Sequence, residues 1–195
     1  MAIVICTAGA AAADPLVPNG HLVLAAGVGS HVSRVATRTE GGVDGLVQLG
    51  FASGRWQIFV EGKAGTTGIG NTATTPALEM AIDGSRLRGG AEVRWLARQF
   101  TPEPDCLIEM SLAATVGIER YAFEDHTRIV RPDLGVGVGW DIRAAKVHDL
   151  TTRMEVLLLF TPDERTGLVA CRGATCDAGG SNLSGGFEFG FVFGW

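Results

Sequence analysis

Along most of the chain, apolar and polar residues alternate with a period of two. In "RLRGGAEVRWL", Leu87, Gly89, Ala91, Val93 and Trp95 share one face, and Arg86, Arg88, Gly90, Glu92 and Arg94 share the other. "WQIFVEGKA" sets Trp56, Ile58, Val60 and Ala64 against Gln57, Phe59, Glu61 and Lys63. "CLIEMSLAATVGIE" sets Ile108 to Ile118, every second residue, against Glu109, Ser111, Thr115, Gly117 and Glu119. "DLGVGVGWDIR" sets Leu134, Val136, Val138, Trp140 and Ile142 against Asp133, three glycines, Asp141 and Arg143. In "TTRMEVLLLF" the polar face is Arg153 and Glu155, followed by two leucines. The last strand, "SGGFEFGFVFGW", carries Phe187, Phe189, Phe191, Phe193 and Trp195 opposite Glu188, Gly190, Val192 and Gly194. "LVQLGFAS" and "HLVLAAGVGSHV" are weaker versions. A period of two is a strand with unlike faces. The pattern predicts eight strands, at 21–32, 43–52, 56–65, 85–96, 106–120, 133–143, 150–160 and 183–195. No segment has a convincing helical period. The connections 33–42, 66–84, 121–132 and 161–182 are long, and 53–55, 97–105 and 144–149 are shorter. Alternation of that kind is what a meander of antiparallel strands gives.

The tryptophans decide which face is the outside. If the first strand runs up, Trp56 opens an up-strand and Trp95, Trp140 and Trp195 close down-strands. All four fall on the short-turn side and on the apolar face. Trp prefers a membrane–water interface, where its ring is among headgroups and its N–H stays wet. A soluble sandwich has no reason to form such a ring. The apolar faces therefore point into lipid and the Glu/Arg/Gly faces into an interior. Every backbone group in lipid must be paired, so the sheet must close by pairing the last strand with the first. The expected fold is all-β, an eight-stranded antiparallel up-and-down transmembrane β-barrel. Tyr121, Phe123, Phe160 and Phe187 are candidates for the opposite rim, with mixed facing.

Composition is consistent with this. The chain has 195 residues, is 46% hydrophobic and has a mean hydropathy of +0.23, yet no stretch reaches the eighteen apolar residues of a membrane helix. A net charge of −5 and no run of Lys and Arg argue against a nucleic-acid partner. "MAIVICTAGAAAADP" reads as a secretory signal ending in an Ala-x-Ala site before Asp14, without the usual basic start. A buried N-terminal strand is the alternative. The division is thus a signal over 1–13 and one barrel domain over 14–195. Cys6 would leave with the signal. Cys171 and Cys176, five apart in a Gly-rich polar segment, suit a small loop disulfide, and Cys106 is left as a lone thiol.

Eight strands enclose room for side chains and little more. The inward set holds Lys63, Arg86, Arg88, Arg94, Arg143 and Arg153 with Glu61, Glu92, Glu109, Glu119, Asp133, Asp141, Glu155 and Glu188. Opposite charges interleave, with Arg94 expected near Glu109 and Asp141 near Arg153. Buried charges must be paired or wet, so the reading is a salt-bridged polar plug. A narrow ion conduit is the alternative, kept open by inward glycines at 135, 137, 139, 190 and 194. His21, His31 and His148 are scattered and support no metal site. "GVGVGW" lacks the G-x-G-x-x-G spacing and no helix follows it, so it is no dinucleotide fingerprint.

The aromatic comb "GFEFGFVFGW", closing on an aromatic residue, resembles the C-terminal recognition signal of outer-membrane barrels. Over 20–195 the pattern and architecture resemble the small eight-stranded outer-membrane barrels, the OmpA/OmpX and OmpW-like group. Members more often end in Phe and carry more Tyr than the single one here. The resemblance implies a monomer in a bacterial outer membrane, in contact with its lipid and lipopolysaccharide and inserted by the barrel assembly machinery through the last strand. It implies a structural or surface-interaction role through loops 66–84 and 161–182, with no cofactor and no catalysis. Some barrels of this size modify lipid A. Here "EDHTR" offers Glu124, Asp125, His126 and Thr127 in one loop, but Ser111 lies low in its strand, and a solvated loop histidine is the commoner case.

Overall fold

The computed structural model describes residue 20 and residues 22–35, 38–70, 82–103, 106–144, 151–162, 167–173 and 183–194; at several strand ends, and throughout 183–194, the backbone alone is described. The expected signal over 1–13, with Cys6, lies outside these residues, as do Cys176, Trp195, His21 and His148. The described elements are strands: β1 (Leu22–Val35), β2 (Arg38–Ser53), β3 (Trp56–Gly70), β4 (Ile82–Glu103), β5 (Cys106–Phe123), β6 (Arg128–Ala144), β7 (Thr151–Pro162), β8 (Ala170–Arg172) and β9 (Leu183–Gly194).

Each long strand pairs antiparallel with its neighbours, and β9 pairs with both β7 and β1, which closes the sheet. The registers fix its geometry. Leu22 pairs with Phe51, then the path runs through Ile58, Val93, Ala114, Val136, Leu158 and Phe187 and returns to β1 at Val32. The return is displaced ten residues from the start. With strand rise and spacing of about 3.3 and 4.8 Å, a stagger of ten over eight strands means a tilt of roughly 40° and a diameter of about 16 Å.

Exposure alternates with the pleat, and its sense is inverted relative to a soluble protein. Leu22, Val60, Ile118 and Leu134 on the outer face are 75, 67, 61 and 59% exposed, while Arg88 and Arg94 inside are 1 and 0%. The outward apolar positions between the levels of Leu22 and Val32 make a belt about 25 Å tall, the hydrocarbon band such a barrel needs. Trp56 and Trp95 are directly paired, and Trp140 pairs with Met110 and Met154. Allowing for the stagger, these three tryptophans lie within about 5 Å of one level.

The strands are longer than the pattern predicts, and two expected long loops are tight turns. β1 runs to Val35 and β2 starts at Arg38, in place of a loop over 33–42; β5 runs to Phe123 and β6 starts at Arg128, in place of 121–132. The β5–β6 turn is closed by Phe123 N–H donating to the Thr127 carbonyl and by Asp125 accepting from Thr127 N–H, with His126 at φ 69°. The 97–105 turn is largely strand as well. β4 continues to Glu103 with irregularities after Leu96 and Phe100, so that one or two extra residues are absorbed as bulges. Gly54 takes φ +58° in the two-residue turn between Ser53 and Trp56, as such hairpins require. Pro132, expected at a strand start, lies inside β6. It falls in the gap at residues 131–133 between the β7 and β8 ladders, where its missing N–H is not needed.

The inverted pattern has a measurable consequence. Val136→Arg, near the middle of the belt, should cost about 2–4 kcal/mol in a refolding titration in lipid, whereas Ser85→Arg, outward but above the belt, should cost under about 1 kcal/mol. Equal penalties at the two depths would mean that the face does not meet hydrocarbon.

Candidate functional site

The candidate site is the interior, where charged side chains form three tiers along the axis. In the lowest, Arg94 donates from Nε to Glu92 and from a terminal nitrogen to Glu155 Oε2 at 2.5 Å. Arg153 faces Asp141 across the β6–β7 pair and donates to both carboxylate oxygens, one of them at 3.1 Å. It also reaches Gln48 and Gln57, each at 3.3 Å. The two guanidinium groups lie over the ring of Phe59, 5.2 and 5.1 Å from its centroid. Phe59 is fully buried, and its ring rests where a side chain on Gly50 would be. An aromatic face between two cations is an attractive placement for all three.

In the middle tier, Arg88 donates from Nε and one terminal nitrogen to Asp133, the shortest contact 2.6 Å, from that same terminal nitrogen to Thr115, and from the other to Glu61. Lys63 Nζ is 3.8 Å from Glu61. Gln48 joins this tier to the lowest by donating to both Glu61 and Glu92 at 3.0 Å.

The upper tier joins residues of predicted strands (His31, Asp44, Arg86, Glu119) to residues where the pattern predicted loops (Ser33, Glu40, Thr67, Tyr121, Arg131). Arg86 bridges Asp44 and Glu119. Arg131 donates to Glu119 at 3.0 Å, to Ser33 at 3.0 Å and to the Tyr121 hydroxyl at 3.2 Å, with its guanidinium 5.1 Å from the Tyr121 ring centroid. Glu40 accepts from His31 Nε2 and Ser33 Oγ, both at 2.6 Å, and from Thr67. The other ring nitrogen, His31 Nδ1, is 2.8 Å from Asp44 Oδ2, off the line of an ideal hydrogen bond. Above this tier, Tyr121 stacks on Phe123 with centroids 6.0 Å apart, and Ile129 and Val169 complete an apolar cap.

Several placements depart from expectation. Arg94 does not pair with Glu109. Because β4 continues past Trp95 to Glu103, Arg94 falls opposite Ala113, and Glu109 falls opposite Gln99, which donates to it at 2.6 Å. Tyr121 and Phe123 point inward as part of the cap and do not form an outer rim. Of the inward glycines, Gly135 and Gly137 do not face open space. A side chain at Gly135 would strike Thr115 and Leu159, and one at Gly137 would strike the Val156 carbonyl and Leu157. Leu157, Leu159 and Ala113 pack as one buried cluster in that space. The side chains of Arg143 and Glu188 lie outside the described residues.

His126 is exposed in the β5–β6 turn and Thr127 beside it is buried. Ser111 pairs with Gly139 and donates to its carbonyl at 3.4 Å, eleven rungs below the Ala122–Arg128 pair, roughly 37 Å along the strand. The "EDHTR" turn and Ser111 are therefore not one site. Cys106 is buried at the start of β5, and Cys171 is exposed on β8 at the other end of the barrel. Sequence reasoning missed His31, Glu40, Asp44 and Arg131. The signal that could have found them is the alternation itself, which continues from Val43 back through Gly41 and from Asp133 back through Arg131.

The closed antiparallel meander, polar within and apolar without, is the fold of the small eight-stranded transmembrane barrels. Among solved structures the chain is similar to Neisserial surface protein A, with a TM-score of 0.54 and 13% identity over 88% of this chain and 95% of that one. Ail, the attachment invasion locus protein of Yersinia pestis, aligns over 91% of this chain and all of its own at 10% identity, with a TM-score of 0.40. No protein-family model and no curated protein matches the chain. At such identity the likeness to Neisserial surface protein A is one of fold.

The ionic tiers carry a stability prediction. Arg88→Gln leaves Asp133 and Glu61 buried with lost counter-charge and should lower unfolding free energy by about 3–5 kcal/mol. Combining Arg88→Gln with Asp133→Asn should cost less than the sum of the single changes, by roughly 1 kcal/mol or more in a double-mutant cycle.

Proposed function

We propose that the protein is a monomeric outer-membrane barrel with a structural or surface-interaction role, and that its interior is a closed plug. The observation that carries this reading is the state of the buried guanidinium groups. Arg86, Arg88 and Arg94 are at most 2% exposed, and each is held by carboxylates from other strands. Permeant ions would have to displace these partners from groups that cannot lose their charge. The apolar cap of Tyr121, Phe123, Ile129 and Val169 adds a second closure at the loop end.

In this reading the charged groups of the described interior serve to neutralise one another. The work is then left to what the barrel presents outside: the segments 71–81 and 163–182 between strands, which would meet the exterior. Lipid and lipopolysaccharide are the partners of the belt and its rim, and the assembly machinery is the partner of β9.

Reconstituted wild-type protein should show no steady single-channel current, and Arg94→Gln should lower stability without opening a conductance. A reproducible wild-type current whose ion selectivity changes in Arg94→Gln would make the barrel a narrow pore. Mass mapping of the mature protein should find Cys171 linked to Cys176. A crosslink of either to Cys106 would contradict the barrel, whose full height separates them.

A further inference from the structure

Three arginines meet on the lipid-facing side just above the apolar belt. Arg120 continues the outward row of β5 that holds Leu112, Val116 and Ile118. Arg128 begins the outward row of β6 that holds Val130, Leu134 and Val136. Arg172 is the last residue of β8, and its partner in the ladder is Arg128; Arg120 is paired with Val130, on the diagonal from Arg128. All three are exposed. Directly opposed side chains have Cβ atoms about 5 Å apart, and like charges there are destabilising. Among the described residues these arginines have no ion pair or hydrogen bond through their side chains, and Glu124 and Asp125 of the adjoining turn do not supply one.

The arrangement is built, and at a cost. β7 leaves β6 after the Leu134–Phe160 pair, and the chain then returns as the three-residue β8 to pair with Arg128, Ile129 and Val130. β8 buries none of its own side chains. What it brings to the wall is a second arginine beside Arg128. Gly173 follows at φ +120°, against Thr127, so the return is tightly turned. This cation cluster has no internal counter-charge; it begins with Arg120 one row above Ile118 and rises to the Arg128–Arg172 pair roughly 8–11 Å higher, so it extends upward from the level of headgroup phosphates. The guanidinium fork matches phosphate oxygens two at a time.

We propose that Arg120, Arg128 and Arg172 form a clamp for the phosphate groups of an anionic lipid in the outer leaflet, with β8 present to complete it. This rests on the outer-membrane reading given above. Exposed Leu168 and Val130 beside the cluster offer the same lipid an apolar contact.

The test uses the full chain in phosphatidylcholine nanodiscs with added bisphosphorylated lipid A, or with the same lipid stripped of phosphate, and counts retained lipid by native mass spectrometry. Wild type should retain the phosphorylated lipid and not the stripped one. Retention should weaken by about fivefold for each arginine removed along Arg172→Gln, Arg128→Gln and Arg120→Gln. The single Arg172→Gln change keeps the test open if the triple variant folds poorly. In phosphatidylcholine alone, denaturant midpoints of the variants should equal or exceed that of wild type, because only repulsion has been removed. Equal retention by wild type and Arg172→Gln, or equal retention of the stripped lipid, overturns the clamp. So does displacement of the lipid by millimolar inorganic phosphate, which would make free phosphate the ligand. A chain that does not insert into bilayers overturns the outer-membrane reading, and the clamp with it.

Discussion

The pairing of β1 with β9 is the constraint on which the rest depends. A sheet edge in hydrocarbon leaves N–H and C=O groups with no partner, at several kcal/mol each, so the wall has to close. Closure with a stagger of ten residues fixes the tilt and the bore together. At a bore of about 16 Å between strand axes, inward side chains from opposite walls touch. The interior charges find partners in other side chains across that bore. Buried ion pairs in this protein are a consequence of a narrow closed wall whose outer face has taken all the apolar surface.

That interior is not charge-balanced by Lys and Arg. Among the described residues it buries nine acidic side chains (Glu40, Asp44, Glu61, Glu92, Glu109, Glu119, Asp133, Asp141 and Glu155) against six Lys and Arg side chains (Lys63, Arg86, Arg88, Arg94, Arg131 and Arg153), with His31 between Glu40 and Asp44. Neutral donors take up the difference. Ser33 and Thr67 donate to Glu40, Tyr121 to Glu119, Gln99 to Glu109, and Gln48 to Glu61 and Glu92. A carboxylate needs hydrogen-bond donors whether or not they are charged, and an amide or hydroxyl brings one without a second ion to desolvate. The arginines do the bridging between strands, because their five N–H groups in one plane can hold two carboxylates at once, as Arg86 and Arg88 do.

The alternation in the sequence was enough for the eight long strands, their facing and barrel closure, because a period of two cannot be satisfied by any other element; it did not reveal the three-residue β8 inside the expected loop 161–182. It also pointed to the face of every interior charge it named whose side chain is described. It failed where composition argued against strand. "TRTEGG" and "FEDHTRIVRPD" look like loops, yet their Glu40 and Arg131 are inward members of a network that needs strand register to exist. Pairing partners failed for a different reason. Facing depends on one residue's neighbours, whereas register depends on turn length and bulges. The continuation of β4 to Glu103 was invisible in the alternation, and it set Gln99 opposite Glu109 and Arg94 opposite Ala113. The glycines at 135 and 137 were read as space because the sequence does not show that Leu157 and Leu159, one strand away, fill it.

The same misread segments explain what the upper tier does. Arg120 marks where the outer face of β5 turns from apolar to charged, and the inward residues that flank it, Glu119 and Tyr121, are both in the upper network. Glu40 and Arg131 are at that level or above it, and His31 and Asp44 lie just beneath it, at the top of the apolar belt. This part of the wall therefore stands at the membrane surface, where water competes for backbone hydrogen bonds and the hydrocarbon no longer enforces pairing. Strands there would fray unless something inside holds them. The network ties β1, β2, β3, β4, β5 and β6 through Ser33, Glu40, Thr67, Arg86, Glu119 and Arg131, each contact crossing between strands. The apolar cap lies directly above it, and Val169 pins the segment leading into β8 onto that cap. The projecting rim is thus a rigid mount, and the position of the Arg128–Arg172 pair follows from the side chains that hold it from within.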